Sequence, residues 1–184
     1  ALGYQVAHTP EEMAQVTQGK LLGLFADYNM PKMAEGRGDY LLQATNKALE
    51  ILSNNVAAEQ KSGFMLMVEG SKIDYRAHDN DTEGILAEVR DFEKCVAAAM
   101  DFADKNPGTL VVVCADHETG GVALASNKAD FKLSESGIKY TYGTRGHSGT
   151  MVPIYLYGTG AERINGVMDN TDLAKKLMEI LKLE

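Results

Sequence analysis

The sequence predicts an α/β fold: a mostly parallel sheet with helices on both faces, built by residues 1–184 as a single segment. Three observations carry this. Short apolar runs, KLLGLFA at 20–26, FMLMV at 64–68 and TLVVVCA at 109–115, have the pattern of strands buried on both faces. Between them lie stretches of helical periodicity long enough to cross back over a sheet. Two of the runs end abruptly in carboxylates and histidine, as strands of an open sheet do where it binds a ligand.

Leu2–Ala7 reads as a first strand. Thr9-Pro10-Glu11-Glu12 starts a helix, with Thr9 capping, Pro10 in the first turn and Glu12 completing a capping box. After the strand at 20–26, residues 27–38 hold Pro31, Gly36 and Gly38 and form a loop. A helix is expected from Asp39 to about Asn54, with Leu41, Leu42, Thr45, Ala48, Leu49 and Leu52 on one stripe. A polar link, Asn55–Ser62, leads to the strand at 64–68. The longest helix spans roughly 81–105 and stops at Asn106-Pro107-Gly108. Val122–Ala125 is a short strand, and Ser126–Gly146 a polar excursion. Val152–Tyr157 is a strand with Pro153 near its start, where an edge tolerates it. A final helix covers about 171–183.

With 18 basic and 26 acidic residues the net charge is −8, which argues against nucleic acid as a partner. An anionic substrate would need locally concentrated positive charge, for which bound metal ions are the usual source. No apolar run approaches the roughly 18 residues of a membrane span. Cys95 and Cys114 are expected as buried free thiols.

The candidate site lies at strand ends. Asp74 and His78 are four residues apart, so a helix there puts both on one face. Asp116 and His117 sit at the mouth of the strand at 109–115, in a loop that Gly120 and Gly121 close. His147 is flanked by Gly146 and Ser148-Gly149, where the backbone can bend to aim an imidazole inward. Imidazole with carboxylate suits zinc, while Glu69 offers only hard oxygen and suits Mg²⁺. Each piece also has an ordinary reading: Asp74 with His78 as a surface pair, Asp116 as a turn cap, Glu69 as the partner of a basic neighbour. Their joint occurrence at strand ends favours a metal site.

Three motifs in order, VEGSKID running to His78, CADHETGG at 114–121 and GHSGTMVPIYLYG at 146–158, resemble the alkaline phosphatase family. LLGLFAD at 21–27 and DNTDLAKK at 169–176 also match family segments, so the resemblance covers nearly the whole chain. It implies an alkaline phosphatase-like α/β fold and phosphate monoester hydrolysis through a phosphoserine. Under it, Asp74, His78 and His147 match ligands of a first zinc, Asp116 and His117 match ligands of a second, and Glu69 matches a magnesium ligand. The family's serine stands in an Asp-Ser-Ala context, and no serine here does. The chain therefore reads as the C-terminal part of the catalytic domain, incomplete in fold. Its partners would be a phosphate monoester and the missing N-terminal part of the same enzyme, and it would turn over little alone. A periplasmic or secreted location and a homo-oligomer follow from the same resemblance. Two alternatives remain at this point: a related phosphomutase or sulfatase-like hydrolase, and a structural α/β module packing against a partner.

Overall fold

A computed structural model describes residues 2–125 and 139–182. In chain order its elements are β1 (Tyr4–Ala7), α1 (Pro10–Ala14), β2 (Lys20–Gly23), α2 (Tyr40–Glu59), α3 (Lys72–His78), α4 (Thr82–Lys105), β3 (Leu110–Cys114), β4 (Glu118–Thr119), β5 (Val122–Ala125), β6 (Lys139–Tyr142), β7 (His147–Ser148), β8 (Ile154–Gly158) and α5 (Asn170–Leu181). Short 3₁₀ turns stand at Met33–Glu35 and Ala161–Arg163. Part of the Ser126–Gly146 excursion, 126–138, lies outside the described residues.

The chain forms two compact units: Ala1–Ala98 with His117–Thr150, and Ala99–Asp116 with Met151–Glu184. In the first, β1 and β2 pair in parallel, Tyr4 opposite Lys20 and Ala7 opposite Gly23. Helix α1 begins as its sequence dictates: the Glu12 amide donates to Thr9 Oγ1 at 3.2 Å. The Glu12 carboxylate accepts from the His8 amide at 2.6 Å, one residue earlier than a standard capping box reaches. Among the described residues of this unit, the buried apolar side chains are Ala7, Met13, Val16, Ile51, Ala77 and Cys95.

Helix α2 runs five residues past its expected end at Asn54. The side chains that read as a stop are spent on tertiary docking. Asn54 Nδ2 donates to the Thr17 carbonyl at 2.7 Å, and Asn55 takes the Gly19 amide at 2.7 Å while donating to the Gly19 carbonyl at 2.9 Å. Termination comes instead at Gln60, in left-handed conformation with φ 52°.

The run at 64–68 joins no ladder among the described residues, so the strand expected there is absent from them. Phe64, Leu66 and Val68 are half-buried, whereas Met65 and Met67 are 74% and 82% exposed. That is burial on one face, with no neighbouring strand among the described residues to cover the other. The α/β class holds, with the sheet present in partial form. Its pairing is more antiparallel than the alternation of elements implied: β1–β2 is parallel, while β3–β8, β4–β7 and β5–β6 are antiparallel.

In the second unit, β3 pairs with β8, Leu110 opposite Gly158 and Cys114 opposite Ile154. Strand β8 starts immediately after Pro153, which has no N–H to give a ladder. Gly158 adopts φ +90°, and a Cβ there would sit 2.4 Å from the Thr109 carbonyl oxygen. Ala103 and Ile164 are buried. Both cysteines are free, but only Cys95 is buried; Cys114, at the exposed end of β3, is not the core thiol expected.

Candidate metal centre

Helix α3 supplies the first two side chains. Its geometry puts Asp74 and His78 one turn apart on a single face, with Asp74 Oδ2 3.3 Å from His78 Nε2. The helix stops after His78 because Asn80 turns into the left-handed region at φ 56°.

The third side chain arrives on a two-residue ribbon. Strands β4 and β7 place Thr119 opposite His147 and Glu118 opposite Ser148. The Gly120 amide donates to the Gly146 carbonyl at 2.9 Å. Gly120 is required in this turn: its φ is +97°, and a Cβ would lie 3.3 Å from the Ala77 carbonyl oxygen in α3. This close approach sets the ribbon against the helix that carries Asp74 and His78.

The result is a cluster. His147 Nε2 lies 3.2 Å from His78 Nε2 and 3.6 Å from Asp74 Oδ1. Asp74, His78 and His147 each present one ligand atom within 4.8 Å of the others, and among the described residues no other His, Cys, Asp and Glu group does so. Two imidazole nitrogens at 3.2 Å repel unless a proton or a cation stands between them. All three side chains are partly exposed, so an ion has access from solvent. His78 Nδ1 donates to the Arg145 carbonyl at 2.5 Å; a carbonyl only accepts, so the His78 proton sits on Nδ1 and its Nε2 lone pair faces the cluster.

The other expected residues are placed differently. The His117 ring stacks on His147, centroids 3.5 Å apart and planes 23° apart, but its nitrogens are not part of the three-residue group. Glu69 is exposed at the end of the 64–68 run. Asp116 belongs to the second unit.

Sequence reasoning overlooked the residues that brace the cluster. Thr119 Oγ1 donates to Asp74 Oδ1 at 2.6 Å and also lies 3.2 Å from His117 Nδ1. Glu118 accepts from Ser148 Oγ and from the amides of Gly121 and Val122, which ties β4 to β7. Only the position of Thr119 and Glu118 beside His117 could have marked them. The Ser148 hydrogen bond, followed by that from the Val122 amide, holds the Glu118 carboxyl below its ordinary 4.5. A depressed carboxyl stabilises the fold fully above its unfolded value, and the contribution disappears as pH falls through the folded one. Glu118→Gln should therefore lower the urea midpoint at neutral pH, and the gap to the parent should close as pH falls from neutral through the acid range below the ordinary carboxyl value. A gap that is constant across that range would rule out the linkage.

The alkaline phosphatase family model matches residues 1–136. The chain is 31% identical to alkaline phosphatase 4 of Bacillus subtilis (strain 168) over 98% of its own length and 52% of that protein's. It is 34% identical to streptomycin-6-phosphate phosphatase of Streptomyces griseus, covering 94% of this chain and 47% of the relative. Among solved structures, alkaline phosphatase from the Antarctic bacterium TAB5 superposes with TM-score 0.84 at 34% identity, over 99% of this chain and 53% of that one. A variant of the TAB5 enzyme with Mg bound in the M3 site gives TM-score 0.82 at 34% identity, over 98% and 53%. The chain spans about half the length of the curated relatives it matches.

Proposed function

This chain belongs to the alkaline phosphatase family, and from that premise we propose that the protein it forms part of hydrolyses phosphate monoesters, with Asp74, His78 and His147 holding one zinc ion. The observation that carries the proposal is the size of the cluster. Four ligands at the usual zinc distances of about 2.0–2.1 Å stand about 3.3–3.4 Å apart along tetrahedral edges. The two imidazole nitrogens stand 3.2 Å apart, close to such an edge, and the Asp74 carboxylate approaches them through its two oxygens, Oδ2 at 3.3 Å from His78 Nε2 and Oδ1 at 3.6 Å from His147 Nε2. One carboxylate and two imidazoles leave a coordination position open, as catalytic zinc sites do.

When bound, zinc supplies a Lewis acid and concentrated positive charge toward phosphoryl oxygens in a chain of net charge −8. The protein's own part is to present lone pairs in fixed directions. His78 does so through its Nδ1 bond to the Arg145 carbonyl, and Asp74 through its bond from Thr119. His147 is held by the β4–β7 ribbon and by stacking under His117. We further assign Asp116 and His117 to a second zinc and Glu69 to magnesium, on the motif match. The serine nucleophile is assigned to a part of the protein outside these 184 residues, with export to the periplasm or medium and assembly into homo-oligomers as family expectations.

The test uses the 184-residue chain as it stands. Zinc titration against a chromophoric chelator is expected to give one weak site, and p-nitrophenyl phosphate with added Zn²⁺ and Mg²⁺ is expected to show little turnover. Turnover on the order of 10 s⁻¹, an ordinary enzyme rate, would sink the nucleophile assignment. Absence of zinc uptake would sink the metal assignment.

A further inference from the structure

We propose that Arg145 is an anion-binding side chain of this centre, placed to hold the oxyanions of a phosphate group at the Asp74–His78–His147 cluster. The proposal rests on the zinc reading above. The backbone sets the position. The Arg145 carbonyl accepts from His78 Nδ1 at 2.5 Å, and His147 follows two residues on, so the Arg145 and His147 Cα atoms are at most about 7.6 Å apart. The turn is pinned on both sides of Arg145. The Thr144 amide donates to the Gly120 carbonyl at 3.1 Å, the Gly146 amide donates to Thr144 Oγ1 at 3.0 Å, and the Gly146 carbonyl accepts from the Gly120 amide at 2.9 Å. By standard bond lengths an extended arginine carries its terminal nitrogens roughly 6–7 Å from its Cα. A guanidinium on this turn therefore has the reach to meet a group bound at the partly exposed cluster.

The charge of that side chain calls for an anion. Arg145 is exposed, and among the described residues its guanidinium makes no hydrogen bond or ion pair, in a chain whose 26 acidic residues outnumber its 18 basic ones. Arg37 and Arg76, by contrast, each meet two carboxylates. An unpaired cation beside a cation site disfavours the ion that the cluster would take up. The sign reverses when an anion stands between them, because it then meets positive charge from both sides. Phosphate suits the arrangement: the guanidinium presents paired N–H donors in a fork that matches two phosphoryl oxygens. Arg145 thus divides its duties. The carbonyl orients His78, and the guanidinium meets the substrate.

The experiment measures two affinities on the 184-residue chain: zinc by chelator competition, then inorganic phosphate by ³¹P NMR titration of the zinc-loaded protein. Arg145→Ala should weaken phosphate binding about 10–100-fold, as expected for lost hydrogen bonds between charged groups. Arg145→Lys should recover part of the loss, since an ammonium keeps the charge without the fork. Arg90→Ala removes the same charge from an exposed position on α4, about 12 Å along the helix from Thr82, and should stay within about twofold of the parent. Zinc affinity measured without phosphate should not fall in Arg145→Ala, because every variant keeps the carbonyl that orients His78. A merely structural role would lower it. Unchanged phosphate binding in Arg145→Ala overturns the proposal, as does an equal loss in Arg90→Ala or a parallel loss of zinc affinity. A zinc-loaded parent that takes up no phosphate also overturns it and leaves the zinc reading standing. Absence of zinc uptake is a separate result, read before phosphate is added, and it removes the zinc reading together with this role for Arg145.

Discussion

Arg37→Met is expected to destabilise the chain by about 3–5 kcal/mol, the cost of leaving buried carboxylates without their cation. Arg37 Nη2 lies 2.6 Å from Glu88 Oε2 and 2.8 Å from Asp91 Oδ2, and the three side chains are 7%, 3% and 0% exposed. Burial works against the guanidinium's charge, but its hydrogen bonds to Asp91 and Glu88 outweigh that and hold it above its ordinary value. Glu88 also accepts the Met33 amide at 2.9 Å, so the cluster fastens the loop before α2 to the middle of α4. Its satisfaction is incomplete: among the described residues Asp91 Oδ1 accepts no hydrogen bond and meets only Lys94 Nζ, at 3.8 Å. Against a usual total stability of about 5–15 kcal/mol, losing Arg37 is a large fraction. Urea unfolding followed by circular dichroism measures it. The mechanism makes a second demand: replacing Arg37, Glu88 and Asp91 together with apolar residues should cost less than replacing Arg37 alone. If the triple replacement is the worse of the two, buried charge is not the cause.

His147→Ala should reduce zinc affinity by about two to three orders of magnitude. Four-ligand structural sites bind zinc with about 10–16 kcal/mol, or about 2.5–4 kcal/mol per ligand, and each 1.4 kcal/mol is tenfold. His147 reaches the cluster from a different segment than Asp74 and His78, so its loss leaves only a two-ligand pair within one helix. His8→Ala is the control, since His8 is exposed and its backbone amide, which the substitution keeps, makes its hydrogen bond to Glu12. Chelator competition on the three proteins reads the result. Equal affinity for His147→Ala and the parent would place any bound zinc elsewhere.

What could be read from the sequence was local. Thr9 and Pro10 announced α1, Asn106-Pro107-Gly108 announced the end of α4, and Pro153 marked where β8 begins. Asp74 and His78 were legible because both sit on one helical turn. The misses share a cause: the partner lies far along the chain. Asn54 and Asn55 looked like a helix stop because their acceptors at Thr17 and Gly19 carry no local signal. Residues 64–68 looked doubly buried because an apolar run reads the same whether one face or two is covered. Arg37 gave no hint of Glu88 or Asp91, and Thr119 none of Asp74. His147 was found from its glycine neighbours and the motif, yet its stacking beneath His117 was not foreseeable.

The distances along the chain have a consequence of their own. His147 meets His78 across 69 residues, whereas Asp74 and His78 share a single turn. Loop-closure entropy grows as about (3/2)RT ln n, so bringing His147 in costs about 2 kcal/mol more than closing a loop one-tenth as long. That ordering is sustained only while the intervening chain keeps its own structure. The three-residue cluster is thus a gauge of the β4–β7 ribbon: loosening the ribbon leaves the helical pair in place and frees the imidazole that came from afar.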